Sequence, residues 1–154
     1  HVKKAVTAVF LAAVAAGCVL LLVRMDGVDE TLEKRVMADK LVAEGYENGY
    51  ATFWNGNVMT ELSGGKIQMW VWSETTVDQN GPDVDAMYQW LQLTSHDTER
   101  PTGKVFVLFS RKEFEDNPWK QNLQPEDVIY ESEEYVVLGY PDYETMKATL
   151  EKDL

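Results

Sequence analysis

Hydrophobic and polar positions divide this chain into two regimes. "AVTAVFLAAVAAGCVLLLV", residues 5–23, is apolar throughout apart from Thr7 and the small Gly17. A helix over it spans roughly 28 Å, close to the ~30 Å hydrocarbon core of a bilayer. Lys3 and Lys4 flank one end, Arg24 and Asp26 the other. A lone lipid-exposed segment satisfies its backbone only as a helix, so the run predicts a transmembrane helix. The two lysines favour a cytoplasmic first end, with the remainder outside. Two other readings stand beside it. One is a cleaved signal peptide. The other is a lipoprotein signal, because "AAGC", residues 15–18, resembles the small-small-Gly-Cys site at which a lipid-modified cysteine becomes a new N-terminus. Against both, "VLLLV" follows at once, where polar residues are expected.

After residue 24 the pattern becomes that of a globular domain. Residues 28–47 read as a helix with Leu32, Val36, Leu41 and Tyr46 in one stripe, capped by Asp29 or Asp26, loosened at Gly45 and stopped at Gly49. "GYATFW", 49–54, is short, aromatic and β-prone. Asn55 or Asn57 can cap a following short helix whose inner face is Val58, Met59 and Leu62, ended by Gly64 or Gly65. "KIQMWVW", 66–72, is a second strand. Strand, helix and strand make a βαβ unit with parallel strands; the alternative is a hairpin turning at "SGG", residues 63–65.

Residues 73–85 read as a loop, 86–93 as a short helix and 94–103 as another loop. "KVFVLFS", 104–110, has the continuous apolar run of a central strand buried on both faces. A helix then begins and breaks near Pro118. "EDVIYES" and "EYVVLGY" pair through a turn at Ser132–Glu133. A last helix is capped by Asp142, with Tyr143, Met146 and Leu150 inward. The predicted fold is α/β: an N-terminal transmembrane helix with short flanks (1–24), then an acidic soluble domain (25–154). That domain is three-layer-like, with about five strands, partly parallel, ending in a β-hairpin and a helix.

Charge sharpens the division. Residues 1–24 hold three of the 14 bases and no acid, so the remainder sets eleven bases against 26 acids, a net charge of −15. Such a domain repels phosphate backbones, which argues against nucleic acid as a partner. Cys18 is the sole cysteine, so no disulfide forms within the chain.

Motifs for chemistry are sparse. His1 and His96 are the only histidines, and the sequence contains no CxxC, HExxH, GxSxG, GxGxxG or Walker spacing. No metal site, cofactor or catalytic residue is predicted. Ser95, His96 and Asp97 are adjacent, which is not how a triad assembles, and read as a surface loop. Asp26, Asp29 and Glu30 read as helix caps; in membrane transferases that use lipid-phosphate sugars, an acid at such a place acts as a base or holds a metal. The five tryptophans and seven tyrosines are read mainly as core, with a sugar-stacking platform or contact with the bilayer interface as alternatives.

The order of a membrane helix, a helix, "GYATFWNGNVMTELSGGKIQMWVW", "YQWLQLTSH" and "GKVFVLFSRKEF" resembles the C-terminal extracytoplasmic tail of bacterial polytopic membrane glycosyltransferase-like proteins, of the dolichol-phosphate-mannose or aminoarabinose transferase type. The likeness covers residues 5 to about 115 and rests on an aromatic pattern, not on a catalytic signature. It implies that the helix near His1 is the last span of a longer protein and that the catalytic acids lie in that protein's earlier loops.

The expected function is accordingly an accessory extracytoplasmic domain that shapes the acceptor or donor cleft. The class-different alternative is a single-span or lipid-anchored, non-enzymatic binding module of the cell envelope. Expected partners are membrane lipid along residues 5–23, the membrane-embedded remainder of the same protein, and saccharide. The ligand-binding candidates are Tyr50, Trp54, Asn55, Asn57 and Trp90, by ring stacking and amide hydrogen bonding. Trp54 and Asn55 stand where a strand ends, the place where α/β sheets bind ligands.

Overall fold

The structure, a computed structural model, describes residues 2–25, 31–72, 77–78, 81–88 and 93–152, excepting the side chains of residues 2–5, 8, 24, 25, 77, 78, 81 and 82. It divides into two compact units, His1–Glu33 and Lys34–Leu154. The first contains helix α1, Val2–Met25. Its described large apolar side chains, from Val6 to Val23, are 48–71% exposed. Among the described residues no helix is long and apolar enough to cross a membrane. The side chain of Ala8 lies outside them, and the described stretch from Val9 to Val23 reaches only about 22 Å.

The second unit is an α/β domain built on a mixed five-stranded sheet. Its elements are α2 (Leu32–Ala43), β1 (Asn48–Thr52), α3 (Phe53–Leu62), β2 (Gln68–Trp72), the two-residue strands β3 (Val77–Asp78) and β4 (Gly81–Pro82), β5 (Val105–Ser110), α4 (Arg111–Asp116), β6 (Val128–Glu131), β7 (Tyr135–Tyr140) and α5 (Tyr143–Leu150). The sheet order is β2-β1-β5-β7-β6. Strand β1 is parallel to both β2 and β5; β7 is antiparallel to β5 and β6. The β1-α3-β2 unit is thus the predicted parallel βαβ, and residues 58–62 are helix, not the first arm of a hairpin.

Strand β5 is central, as its unbroken apolar run predicts. Val105, Val107 and Phe109 face one layer, with Tyr50, Trp70, Trp72, Trp119, Tyr143, Met146 and Leu150. Phe106 and Leu108 face the other, with Met37 and Leu41 of α2 and Met59 of α3. Two layers of helix and loop therefore sandwich the sheet. One is aliphatic and methionine-rich; the other is aromatic.

The helix ends follow backbone geometry. Gly45 adopts φ +82°, and the amides of Gly45 and Tyr46 donate to the carbonyls of Val42 and Leu41, closing α2 as a Schellman motif. Gly45 rather than Gly49 therefore stops this helix; residues 28–30 of the predicted helix lie outside the described residues. Gly64 ends α3 in the same way, with Gly64 and Gly65 donating to Glu61 and Thr60. Gly49 has a different task. It lies inside β1, where a Cβ would come within 2.2 Å of the Phe106 ring.

Other expectations need correction. The strand "GYATFW" gives way to helix after Thr52, so Phe53 and Trp54 belong to α3. The N-cap position is Thr52, with no side-chain cap, rather than Asn55 or Asn57. Residues 86–88 are not helical: Met87 forms an antiparallel bridge with Trp72, and the Tyr88 amide donates to the Val71 carbonyl. Residues 89–92 of that predicted helix lie outside the described set. Asp142 does cap α5, accepting from the Thr145 amide at 2.7 Å.

Candidate functional site

The sheet's parallel half fixes where a crevice forms. From β1 the chain leaves through α3 toward β2, at one edge of the sheet. From β5 it leaves through α4 toward β6 and β7, at the other. Met59 of α3 packs in the methionine-rich layer and Phe114 of α4 against the aromatic layer. Adjacent parallel strands whose connections depart to opposite sides and opposite faces make a topological switch point. In open α/β sheets the crevice beyond the strand ends at that point is the usual ligand position.

Glu113 occupies this position. It is the third residue of α4, in a capping box with Ser110: the Ser110 amide and hydroxyl both donate to Oε2 at 2.7 Å, and the Glu113 amide donates to Ser110 Oγ at 3.3 Å. Across the crevice, Thr52 Oγ1 donates to Oε1 at 2.5 Å and Asn55 Nδ2 donates to Oε2 at 2.8 Å. One carboxylate thus ties the starts of α3 and α4 together. Asn55 is buried, and its Oδ1 accepts from Lys34 Nζ of α2 at 3.2 Å. A carboxylate on one side and an ammonium on the other fix which way the amide points. Burial lowers the Lys34 pKa, against the opposing charges of Glu113 and Glu134.

The candidate ligand residues separate sharply. Tyr50 is fully buried, stacked with Trp70 and Tyr143 and tilted against Trp72, and offers no ring surface to a ligand. Asn55 is an internal tie. Trp54, the second residue of α3, is 75% exposed, with its ring edge-on to Phe53. Asn57 is exposed on the same helix. Trp90 lies outside the described residues, as do Asp26, Asp29 and Glu30.

Glu113 escaped sequence reasoning, although "SRKE" directly after an apolar run is the spacing of a capping box. A second polar cluster carried no local signal. Asp85 Oδ1 accepts from the Tyr143 hydroxyl at 2.5 Å and pairs with Arg100 Nε at 2.7 Å; Oδ2 pairs with Lys147 at 3.0 Å. Lys147 also pairs with Glu151, which accepts from the Val84 amide. These contacts tie two loops to α5. Burial disfavours the Asp85 charge, but the hydrogen bonds from Tyr143 and Lys147 and the charges of Lys147 and Arg100 outweigh it, so its pKa falls below the usual range. Burial and the Asp85 hydrogen bond push the Tyr143 phenol up to about 12.

His96 also departs from expectation. It sits in a 3-10 turn, Thr94–Asp97, but is only 5% exposed and lies against Trp70, so it is not part of a surface loop. Among the described residues, no group of three or more His, Cys, Asp or Glu is placed to hold a metal ion. Compared with protein-family models, with curated proteins and with solved structures, the chain has no match.

Proposed function

We propose that this chain is a membrane-anchored, extracytoplasmic accessory domain of a glycosyltransferase-like protein of the bacterial cell envelope. Its α/β unit shapes the acceptor or donor cleft of a catalytic part that lies elsewhere in the whole protein. The observation that carries the reading is the apolar surface of α1. Val19–Val23 are five consecutive apolar residues, so their side chains point to every side of the helix. Ten large apolar side chains of α1 are exposed; covering them is worth on the order of 15 kcal/mol or more. Lipid or neighbouring membrane helices supply that cover, and the full apolar run from Ala5 to Val23 has the length to span.

An accessory rather than a catalytic role is supported by the crevice itself. Glu113, the carboxylate at the switch point, already accepts four hydrogen bonds from Ser110, Thr52 and Asn55. A base needs a lone pair directed at substrate; in Glu113, Oε2 accepts three of the four bonds and Oε1 the one from Thr52, and the bonds from Thr52 and Asn55 hold α3 against α4. Trp54 and Asn57 remain at the rim as the exposed candidates.

A transfer assay on membranes containing the complete gene product tests the proposal. Removing residues 34–154 is expected to depress sugar transfer while the rest of the protein stays in the membrane. Unchanged transfer, or no glycosyl transfer by the complete protein, overturns it. The lipid-anchored module is favoured by one observation, the exposure of Cys18 in "AAGC". Against it, α1 runs unbroken through Cys18 to Met25. Lipid labelling abolished by Cys18→Ser would establish that alternative.

A further inference from the structure

We infer that the groove along α5 is a binding site for a short, extended peptide with free termini, its ammonium held at Glu144 and its carboxylate at Lys152. The inference concerns the Lys34–Leu154 unit alone and does not rest on the membrane anchorage proposed above.

The groove has a volume of about 600 Å³. One wall is α5 itself. Glu144, Ala148 and Lys152 recur every four residues, with Thr145 and Thr149 beside them, so this wall is a single stripe along the helix. The facing wall is Asn122, which ends the 3-10 turn Pro118–Asn122, together with Gln124. Asn122 ties the two walls together: its Nδ2 donates to the carbonyls of Leu150 and Lys152, at 3.0 and 2.6 Å.

Charge selects the ligand. Glu144 lies in the first turn of α5 and Lys152 just beyond its last residue, Leu150. Both are exposed, and neither forms an ion pair with another described residue. Lys147 and Glu151 of the same region are paired with each other, and Lys147 also with Asp85. Two uncommitted charges of opposite sign thus stand at opposite ends of the groove, a match for a zwitterion rather than for a simple anion or cation. From Glu144 to Leu150 the helix rises about 9 Å. One amino acid is too short to reach both charges, whereas three extended residues span about 10 Å.

The groups between the ends suit a peptide backbone. Asn122 commits both of its amide hydrogens, which leaves Oδ1 as an acceptor. Thr149 Oγ1 donates its hydrogen to the Thr145 carbonyl at 2.9 Å, which leaves its lone pairs to accept. Peptide N–H groups supply the donors. Ala148, with no side chain beyond Cβ, leaves room for a main chain against the helix.

The experiment titrates the full chain, in detergent micelles at low salt, with trialanine by calorimetry. Saturable binding is expected. Glu144→Gln and Lys152→Gln should each weaken it about two- to fivefold, the size of an exposed ion pair. Blocking the peptide should do the same on the unmodified chain: N-acetylation should mimic and mask Glu144→Gln, and C-amidation should mimic and mask Lys152→Gln. Absence of saturable binding overturns the inference. Binding that neither substitution nor blocking changes overturns it as well, and leaves the two charges to complement the helix dipole. Equal affinity for ω-aminooctanoate, which has as many bonds between its charged ends but no peptide group, overturns the assignment to peptides.

Discussion

The imidazole of His96 lies face to face with the indole of Trp70, ring centroids 4.2 Å apart and planes 21° from parallel. Trp70 in turn stacks on Tyr50 and donates its Nε1–H to the Glu99 carbonyl at 3.2 Å. His96 thus seals one edge of the aromatic layer as a neutral ring. Burial lowers its pKa, against the charges of Glu99 and Asp97. The unfolded chain therefore takes up this proton before the folded one does. Stability is complete above the unfolded value, ~6.5, and declines as pH falls below it, by at most about 1.4 kcal/mol per pH unit. Urea midpoints measured from pH 7.5 to 5 should fall, and His96→Phe, which keeps an aromatic ring on Trp70, should flatten that fall. An unchanged slope in the variant would assign the pH dependence to other groups.

Asp85 gives a second pH dependence, lower on the scale. Its folded pKa is depressed, so its contribution is present above the unfolded value of ~3.9 and lost as pH falls through the folded one. Tyr143 behaves oppositely. Its pKa is raised to about 12, so that contribution is complete below ~10 and lost as pH rises from there toward the folded value. Asp85→Asn should cost about 1–3 kcal/mol at neutral pH, because Arg100 and Lys147 lose their shared carboxylate. Thermal melts at pH 7 in low and high salt measure the loss; equal stability of variant and wild type would show the cluster to be decorative.

At the crevice, Glu113→Gln replaces one acceptor oxygen by an NH2 group that faces hydroxyl or amide donors. The expected destabilisation is about 1–3 kcal/mol, read from the urea midpoint. Asn55→Ala should cost a similar amount and should not add fully to Glu113→Gln, because the two side chains share one hydrogen bond. Full additivity would mean that the Asn55–Glu113 contact contributes nothing.

Gly49→Ala tests the packing of the central sheet. The new methyl meets the Phe106 ring, which is fully buried between β5 and the methionine-rich layer. Overpacking of this kind costs about 1–3 kcal/mol or more. Phe106→Leu in the same chain should recover part of it, a coupling that a double-mutant cycle measures directly.

Much of this architecture is legible in the chain because local and global signals agree. The run "VFVLFS" predicts a strand buried on both faces, and β5 is that strand. Asp142 before "YETM" predicts a cap, and the Thr145 amide finds it. The crevice was legible only in position. The end of β1 was foreseeable, but the strand gives way to helix after Thr52, which turns Asn55 from a cap into a buried tie and moves Trp54 onto a helix. Burial of Tyr50 follows from the place of β1 between β2 and β5, where both faces of the strand are covered. Burial of His96 does not follow from its polar neighbours, because it depends on Trp70, 26 residues away in sequence. The Asp85 cluster joins residues up to 67 positions apart, a distance over which no local pattern gives notice.

The central claim of the proposed function is that residues 5–23 hold the acidic α/β domain at the outer face of a bacterial membrane. Alkaline carbonate extraction of membranes from cells expressing the complete protein, combined with protease added to intact spheroplasts, tests this most directly. The predicted result is a chain that stays in the membrane pellet and whose segment 34–154 is cut by external protease. A chain released by carbonate, or a pelleted chain whose domain is cut only after the membrane is opened, would contradict it.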